Sequence, residues 1–330
     1  LYLRPKMSYT SAYMEKNNPP IIGIVVPCYN EEAVIKETAG ALSAVLNGLI
    51  GEGKISASSF LGFVDDGSRD QTWRLLEEAK KQNELVKAIK LAGNRGHQNA
   101  LLAGLYTFND QADALISIDA DLQDDSAAIP KMIEEYQTGH EIVYGVRDKR
   151  NRDTFFKKYS ALLFYQIMLW LGANIVYNHA DYRLASRRVI LALKEYGEEN
   201  LFLRGIFPLL GFSTAEVKYD RLERRAGNSK YPFSKMMAFA WEGVTSLSVK
   251  PLRLVTVVGF LVFGVSMALS LYVIFSRFYL RVVPGWSSIV LPLYLLGGIE
   301  LLAIGVIGEY LGKIYQEVKR RPRYIIDKII

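Results

Sequence analysis

Residues Leu115–Asp125 read LISIDADLQDD, an apolar run closed by four aspartates within seven positions. The apolar half has the length and composition of a buried strand. Its acidic end has two readings. Aspartate is a common turn former and helix cap, so the cluster fits a plain strand-to-helix connection. Alternatively, a cation held by oxygens sits where the strand ends. One D-x-D does not separate the two, so the surrounding pattern has to.

That pattern alternates strands and helices, as in an α/β sheet with crossover helices. IIGIVVPCY (21–29) reads as a buried strand, and NEEAVIKETAGALSAVL follows as an amphipathic helix with Asn30 as its expected cap. SFLGFVDD (59–66) is the next strand, TWRLLEEAKKQ (72–82) a helix, VKAIKLA (86–92) a strand and HQNALLAGLYTF (97–108) a helix. LISIDAD (115–121) and EIVYGVR (141–147) complete five strands. The loops PCYNEE, DDGSRD, AGNRGHQ and DADLQDD all leave strand C-termini, the edge at which open α/β sheets bind ligands. Their convergence favours the cation.

The 330 residues, half of them hydrophobic and carrying a net charge of +6, allow one large domain or two ordinary ones. The one cysteine, Cys28, precludes an internal disulfide, and with three histidines in the chain no zinc cluster is expected. No G-x-G-x-x-G follows a strand and no G-x-x-x-x-G-K-[ST] occurs, which removes the main support for dinucleotide and P-loop readings. With Gly67 and the later basic RLERRAGNSKY (221–231), the acidic loop suits a nucleoside diphosphate held by arginine and Mg²⁺ or Mn²⁺.

Leu254–Ser276 is uncharged over 23 residues, and Val282–Gly312 carries only Glu300 and Glu309. As helices rising about 1.5 Å per residue, both match a hydrocarbon core of roughly 30 Å, so two membrane spans are expected. Basic residues flank them at Lys250, Arg253, Lys313, Lys319, Arg320, Arg321 and Arg323, with only Arg277 and Arg281 between. The positive-inside rule then places head and tail in the cytoplasm. No N-terminal run has a signal-peptide centre, and residues 1–6, LYLRPK, are set aside as a tag remnant.

Eight motifs carry a family resemblance: VVPCYNEE (25–32), VDDGSRDQT (64–72), NRGHQNALLAGL (94–105), DADLQDD (119–125), YGVRDKR (144–150), DYRLASRRV (181–189), RRAGNSKY (224–231) and GEYLGKIYQEVKRRPRY (308–324). The chain resembles glycosyltransferase family 2, and within it the polyprenyl-phosphate glycosyltransferases. These include dolichol-phosphate mannose synthases and bactoprenol glucosyltransferases. The resemblance implies a Rossmann-like GT-A head followed by two transmembrane helices. It also implies inverting transfer of a sugar from a nucleotide sugar to polyprenyl phosphate. On matching positions, Pro27, Tyr29, Glu31 and Asp66 are expected to line the base and ribose pocket, with Asp65 close by. Asp119 is expected to approach the nucleotide, and Asp121 and Gln123 to hold the metal. Arg147 would face the sugar or acceptor phosphate, while Arg224, Ser229 and Lys230 would close over the diphosphate. Processive relatives carry Q-x-x-R-W; none of the four tryptophans here follows an arginine, which argues against chain polymerisation.

The expected organisation is an N-terminal tag remnant with a flexible start (1–20), a catalytic domain (21–231) and a juxtamembrane amphipathic helix (232–251). A span (252–276), an extracytoplasmic loop (277–288), a second span (289–312) and a basic cytoplasmic tail (313–330) follow. FFKKYSALLFYQIMLWLG (155–172) is apolar enough to lie along the bilayer surface, or to pack as a core helix.

An acceptor phosphate has a second pKa near 6 and is mostly a dianion at pH 7, so transfer to it needs no strong base. What it needs is leaving-group charge stabilisation, from the metal and Arg224, and a cation that draws the dianion in. Arg147 is the first choice for that cation, with Lys149, Arg150 and Arg152 as alternates. Some residues keep two readings. His97 contacts ligand, or caps and packs a helix start. Asp181, placed with His179 in a loop, is a base or a structural hydrogen-bonding group. Cys28 is a small apolar residue at a strand end. Glu300 and Glu309 are expected to pack between spans of a homo-oligomer rather than move protons. UDP-glucose is favoured over GDP-mannose as donor, because the tail motif and paired spans resemble the bactoprenol enzymes. The rivals are a lipid-linked acceptor of another kind and, in a different class, a non-catalytic flippase or carrier subunit. No nucleic-acid partner is expected.

Overall fold

The computed structural model describes residues 18–147, 179–198, 202–220, 250–279 and 286–330. Its centre is an eight-stranded mixed sheet. The strands are β1 (Ile22–Cys28), β2 (Phe60–Asp65), β3 (Val86–Leu91), β4 (Ala114–Ser117), β5 (Ile142–Arg147), β6 (His179–Ser186), β7 (Thr214–Tyr219) and β8 (Ile326–Ile329), in spatial order β7-β5-β6-β4-β1-β2-β3-β8. The helices are α1 (Ile35–Gly51), α2 (Thr72–Gln82), α3 (His97–Phe108), α4 (Ile129–Gln137), α5 (Arg187–Lys194), α6 (Leu203–Leu209), α7 (Lys250–Tyr279) and α8 (Trp286–Lys319).

Every residue of β1, β2 and β4 is buried, because helices cover both faces of the sheet. One core joins Ile24, Val26, Leu61 and Phe63 to Leu42 and Leu46 of α1. The other joins Val25 and Val64 to Leu101, Leu105 and Phe108 of α3. Gly104 lets α3 lie close on the sheet; a Cβ there would sit 2.5 Å from Val25 and 2.6 Å from Val64.

The expected parallel run is present as β4-β1-β2-β3. Strand order reverses at β1, since β2 and β3 extend one side of it and β4 the other. In α/β sheets that reversal opens the ligand crevice. The fifth expected strand forms β5 but does not join β4. β6 lies between them, antiparallel to both, with Ile116 opposite Leu184 and Val143 opposite Leu184. The expected loop at His179 and Asp181 is thus a correction: these residues begin β6. Asp181 and Arg183 read as loop residues because they are charged, yet Arg183 is buried by pairing with Asp181 at 2.6 Å.

Asn30 is a second correction. α1 starts five residues later, at Ile35, and Asn30 adopts a left-handed φ of 55° instead of capping it.

The tail does more than carry charge. β8 pairs antiparallel with β3, with reciprocal backbone hydrogen bonds between Ala88 and Ile330 at 3.0 and 2.9 Å. Arg323 donates to the Tyr196 carbonyl at 2.9 Å and also to the Glu198 carbonyl. The chain that leaves the head for α7 and α8 therefore returns to the head's own sheet.

α7 has 30 residues and α8 has 34, so both exceed the 252–276 and 289–312 boundaries expected for the spans. They pack against each other. Phe260, Leu261, Val265, Ile289, Leu293, Leu301 and Ile304 are exposed along them. Among the described residues, no helix is long and apolar enough to cross a membrane. The interfacial helix at 155–172, most of the juxtamembrane segment 232–251, and Lys149, Arg150, Arg152, Arg224, Ser229 and Lys230 lie outside the described residues.

Candidate active site

The four strand-end loops meet at the C-terminal edge of β1, β2, β3 and β4. The first two are laced into one unit. Asn30 donates its backbone N–H to Ser68 Oγ at 2.9 Å and accepts from Arg69 N–H at 2.9 Å through its side-chain oxygen. Glu31 N–H donates to Thr72 Oγ1 at 2.9 Å, and Gln71 N–H to Glu32 Oε2 at 2.9 Å. Pro27 and Cys28 end β1 beneath this unit, and Tyr29 stays 40% exposed beside it, its ring open to a planar base. Burial, then the charge of Asp65, pushes the Cys28 thiol up, which suits its expected role as a small apolar residue.

Asp65 and Asp66 divide their roles. Asp65 is fully buried; Oδ1 accepts from Ser68 N–H at 2.9 Å, and Oδ2 has no hydrogen-bond partner among the described residues. A buried acceptor left without a donor costs the fold free energy. Asp66 does not stand open to a nucleotide. Oδ1 takes the Arg95 N–H at 2.7 Å and Oδ2 the Gly96 N–H at 2.9 Å, so it fastens the third loop to the second. Burial raises its pKa and those two hydrogen bonds oppose the rise. Gly67, at φ +69°, completes the joint: a Cβ would lie 2.7 Å from the Gly93 backbone. Neither the left-handed φ nor the backbone approach admits a side chain.

The four aspartates after β4 likewise split. Asp125 Oδ1 accepts from Ala127 N–H at 2.9 Å and caps the 3₁₀ turn Ser126–Ala128, the bland role of an acid in this place. Asp124 is buried and accepts from Tyr219 OH at 2.5 Å and from Arg147 Nη2 at 3.1 Å. Arg147 Nε donates to the same Tyr219 oxygen at 3.2 Å. Burial alone would lower the Arg147 pKa, but Asp124 and Tyr219 outweigh it and keep the guanidinium charged. Asp121 Oδ1 accepts from Gln123 N–H at 3.2 Å across a turn in which Leu122 takes a φ of 50°. Gln123 is buried. Thr38 of α1 holds the loop by donating to the Ala120 carbonyl at 2.6 Å.

Asp119 and Asp121 both stay partly exposed beyond the end of β4. Among the described residues no three His, Cys, Asp or Glu side chains are placed to share a metal. Asp121 and Gln123 offer two hard oxygens, which fits Mg²⁺ or Mn²⁺ taking its remaining ligands from diphosphate and water.

His97 Nε2 bridges the floor, 3.5 Å from Asp119 Oδ1 and 3.7 Å from Asp181 Oδ2. His97 is the first residue of α3, whose N-cap is Gly96, and makes no side-chain cap of the helix. Asp181 is no free base. It accepts from Arg183 Nη2 at 2.6 Å, Arg204 Nε at 3.3 Å and Arg204 Nη2 at 3.1 Å. Burial would raise its pKa, but Arg204 and Arg183 hold it well below the usual carboxylate range. Sequence reading missed Arg204, Asp124 and Tyr219. The visible signal was a charged pair two residues apart, Asp181 and Arg183, beside Tyr182 and Leu184, which on burial demands partners.

Desolvation at the cleft floor pushes Asp119 up to about 6, His97 opposing and Asp181, Asp124 and Asp121 adding to the rise. Its ordinary pKa is 3.8, so the fold disfavours the charged form and loses stability as pH climbs from about 4 through about 6. Asp119→Asn is therefore expected to raise the unfolding midpoint of the ligand-free protein slightly at pH 7.5, the 40% exposure of the side chain keeping the gain small. The gain should fade below pH 6, and the same variant should bind nucleotide more weakly. Calorimetry across pH, with nucleotide titration alongside, reads both effects. A midpoint gain independent of pH would remove the electrostatic account.

Comparison with known proteins agrees with this geometry. Glycosyl transferase family 2 matches residues 23–193. The chain is 49% identical over 312 residues to the glycosyltransferase YkoT of Bacillus subtilis (strain 168), covering 94% of this chain and 93% of that one. It is 37% identical to the SfII prophage-derived bactoprenol glucosyl transferase of Shigella flexneri, covering 93% and 97%. Among solved structures, mannosyl-3-phosphoglycerate synthase from Rubrobacter xylanophilus shares the fold at a TM-score of 0.50, with 15% identity and coverage of 71% and 74%. The chain belongs to glycosyl transferase family 2 and is a glycosyltransferase with a GT-A-like α/β fold.

Proposed function

We propose that the protein transfers glucose from UDP-glucose to a polyprenyl phosphate such as undecaprenyl phosphate, with inversion, at the cytoplasmic face of the inner membrane. The observation that carries this reading is the pair α7 and α8. Phe260, Leu261, Val265, Leu293, Leu301 and Ile304 are exposed along them, and apolar surface of that kind marks contact with protein or lipid. Leu254–Ser276 carries no charge over 23 residues, a composition that favours lipid over water. Pairing of β8 with β3 means that a chain crossing out through α7 and back through α8 ends beside the head from which it started. Both crossings then anchor the cleft next to a lipid-borne phosphate. Copies of the chain assembling through these helices would shelter Glu300 and Glu309 from lipid. The name of the Shigella relative points to the same acceptor and sugar.

An oxygen of the acceptor phosphate attacks the anomeric carbon from the face opposite the leaving group. The new C–O bond forms as the bond to UDP breaks, and UDP departs with the electron pair. At pH 7 the attacking oxygen is already unprotonated, so no residue has to act as base. When bound at Asp121 and Gln123, Mg²⁺ or Mn²⁺ supplies charge neutralisation for the diphosphate. Tyr29 and Asp65 border the nucleotide, and Arg147, fixed by Asp124 and Tyr219, faces the transferring group. Arg224, Ser229 and Lys230 are proposed to cover the diphosphate.

The test is a panel of radiolabelled UDP-glucose, UDP-galactose and GDP-mannose, each with purified protein and polyprenyl phosphate or diacylglycerol. Label from UDP-glucose should enter an acid-labile, solvent-extractable lipid that depends on polyprenyl phosphate. Labelling from GDP-mannose instead would establish the mannosyltransferase alternative, and labelled diacylglycerol would replace the acceptor. No transfer from any donor would favour a carrier role.

A further inference from the structure

β3 ends the parallel run, and without β8 its outer N–H and C=O groups would form an open sheet edge. The chain closes that edge with its own tail. α8 ends at Lys319, Arg320 turns the backbone at a left-handed φ of 46°, and β8 begins at Ile326. Ala88 and Ile330 exchange both backbone hydrogen bonds. An antiparallel ladder alternates, so Lys90 and Lys328 are the next pair bonded in that way. Tyr324 and Ile326 pack against the core that holds α3, and Ile330 against the core on the other face of the sheet. Arg323 adds a further tie, to the carbonyls that follow α5.

One end of this pairing reaches the donor cleft. Ala92, which opens the third loop, donates its N–H to the Ile325 carbonyl at 2.9 Å. Gly93 then passes so close to Gly67 of the second loop that a Cβ there would lie 2.7 Å from the Gly93 backbone. The Arg95 and Gly96 N–H groups are taken by Asp66, at 2.7 and 2.9 Å. His97 follows, 3.5 Å from Asp119. The short loop Ala92–Gly96 therefore has the tail at its start and Asp66 at its end. Beyond it, through His97, stands the acidic loop after β4. Backbone hydrogen bonds at both ends leave such a loop few conformations, and the tail supplies the first of them.

We propose that the tail, Arg323–Ile330, is a positioning strap for nucleotide binding. β8 fixes the third loop, and the loop, through Asp66 and His97, fixes the cleft that receives the donor. Release of β8 loosens the loop and weakens the nucleoside diphosphate, although no tail residue touches it. The identity of that nucleotide rests on the functional reading above; the strap is measured apart from it.

The experiment uses the full chain. Lys328→Pro removes one donor of the β3–β8 ladder, whereas Lys328→Ala removes the exposed side chain and keeps the donor. Amide exchange is followed by mass spectrometry over Ala92–His97, with α4 as reference. UDP affinity is measured by calorimetry with Mn²⁺, well below the unfolding midpoint of every variant. Lys328→Pro should speed exchange of Ala92–His97 about tenfold, beyond any change in α4, and weaken UDP about threefold to thirtyfold. Lys328→Ala should match wild type in both. By reciprocity, UDP should slow exchange of the wild-type tail over residues 325–330. A lower midpoint with unchanged loop exchange and unchanged UDP affinity would make the tail a stabilising clasp and overturn the strap. Equal acceleration in α4 would mean general loosening and overturn it too. If Lys328→Pro fails to fold, the wild-type tail decides, and exchange there that ignores UDP overturns the proposal. If the loop loosens as expected but the protein binds GDP and not UDP, the strap stands and the donor reading falls.

Discussion

Asp121→Asn is expected to lower turnover by about 10²–10³-fold, the scale on which removing one charge-stabilising group from a developing leaving group acts. The ground is the division of labour among the four aspartates after β4. Asp125 is spent on a turn cap and Asp124 on Arg147 and Tyr219. Asp119 is drawn towards His97. Asp121, whose Oδ1 accepts from Gln123 N–H at 3.2 Å, is the carboxylate proposed to hold the divalent ion. Asparagine preserves size and one oxygen but removes the charge that opposes a dication. Excess EDTA should reduce the wild type to a similar level, and Mn²⁺ should restore the wild type far better than the variant. Asp125→Asn supplies the contrast. Asparagine caps nearly as well as aspartate, so stability and rate should both change little. Full wild-type turnover in EDTA would remove the metal from the site, and equal defects in the two variants would mean the whole loop, not Asp121, matters.

Much of this arrangement was legible in the chain. β1, β2 and β4 are continuous apolar runs closed by Pro27–Cys28, Asp65–Asp66 and Asp119, and a buried parallel strand leaves that signature with little ambiguity. The convergence of four loops followed from the direction of the strands alone. Local rules failed where a long-range partner decides the outcome. Asn30 has the side chain of a cap, but the Ser68 and Arg69 contacts of the neighbouring loop claim it first. HADYRLAS looks polar because its charges cancel only with each other and with Arg204, some 20 residues on. Asp66 sits in a motif that reads as nucleotide-binding, yet both its oxygens go to the backbone of the third loop. The tail reads as a basic leash, and its four-residue strand owes its existence to the open edge of β3. Apart from the Asp181–Arg183 pair, these partners lie outside any sequence window, so periodicity and spacing had no access to them.

The Asp181→Asn variant separates two accounts of the β6 carboxylate by joining stability to rate. If Asp181 were a general base, the variant would lose rate with little change in stability, and its rate would lose its dependence on a low-pH ionisation. The geometry predicts otherwise. Asp181 is the counter-ion of Arg183, which is 2% exposed, and stranding such a charge costs about 3–5 kcal/mol. The unfolding midpoint should fall accordingly, by about 6–20 °C for a head of this size. Rate should also fall, because His97, 3.7 Å from Asp181 Oδ2 and 3.5 Å from Asp119 Oδ1, loses one of the two carboxylates that hold it at the donor loop. A second substitution then parts the two effects. Asp181→Asn combined with Arg183→Met replaces a broken ion pair by neutral groups of similar size, so most of the lost stability should return. Transfer should not return with it, since His97 still lacks that carboxylate. Recovery of both in the double variant would show that Asp181 acts only by keeping Arg183 buried. A single variant with an unchanged midpoint and a flattened pH–rate profile would make Asp181 the base.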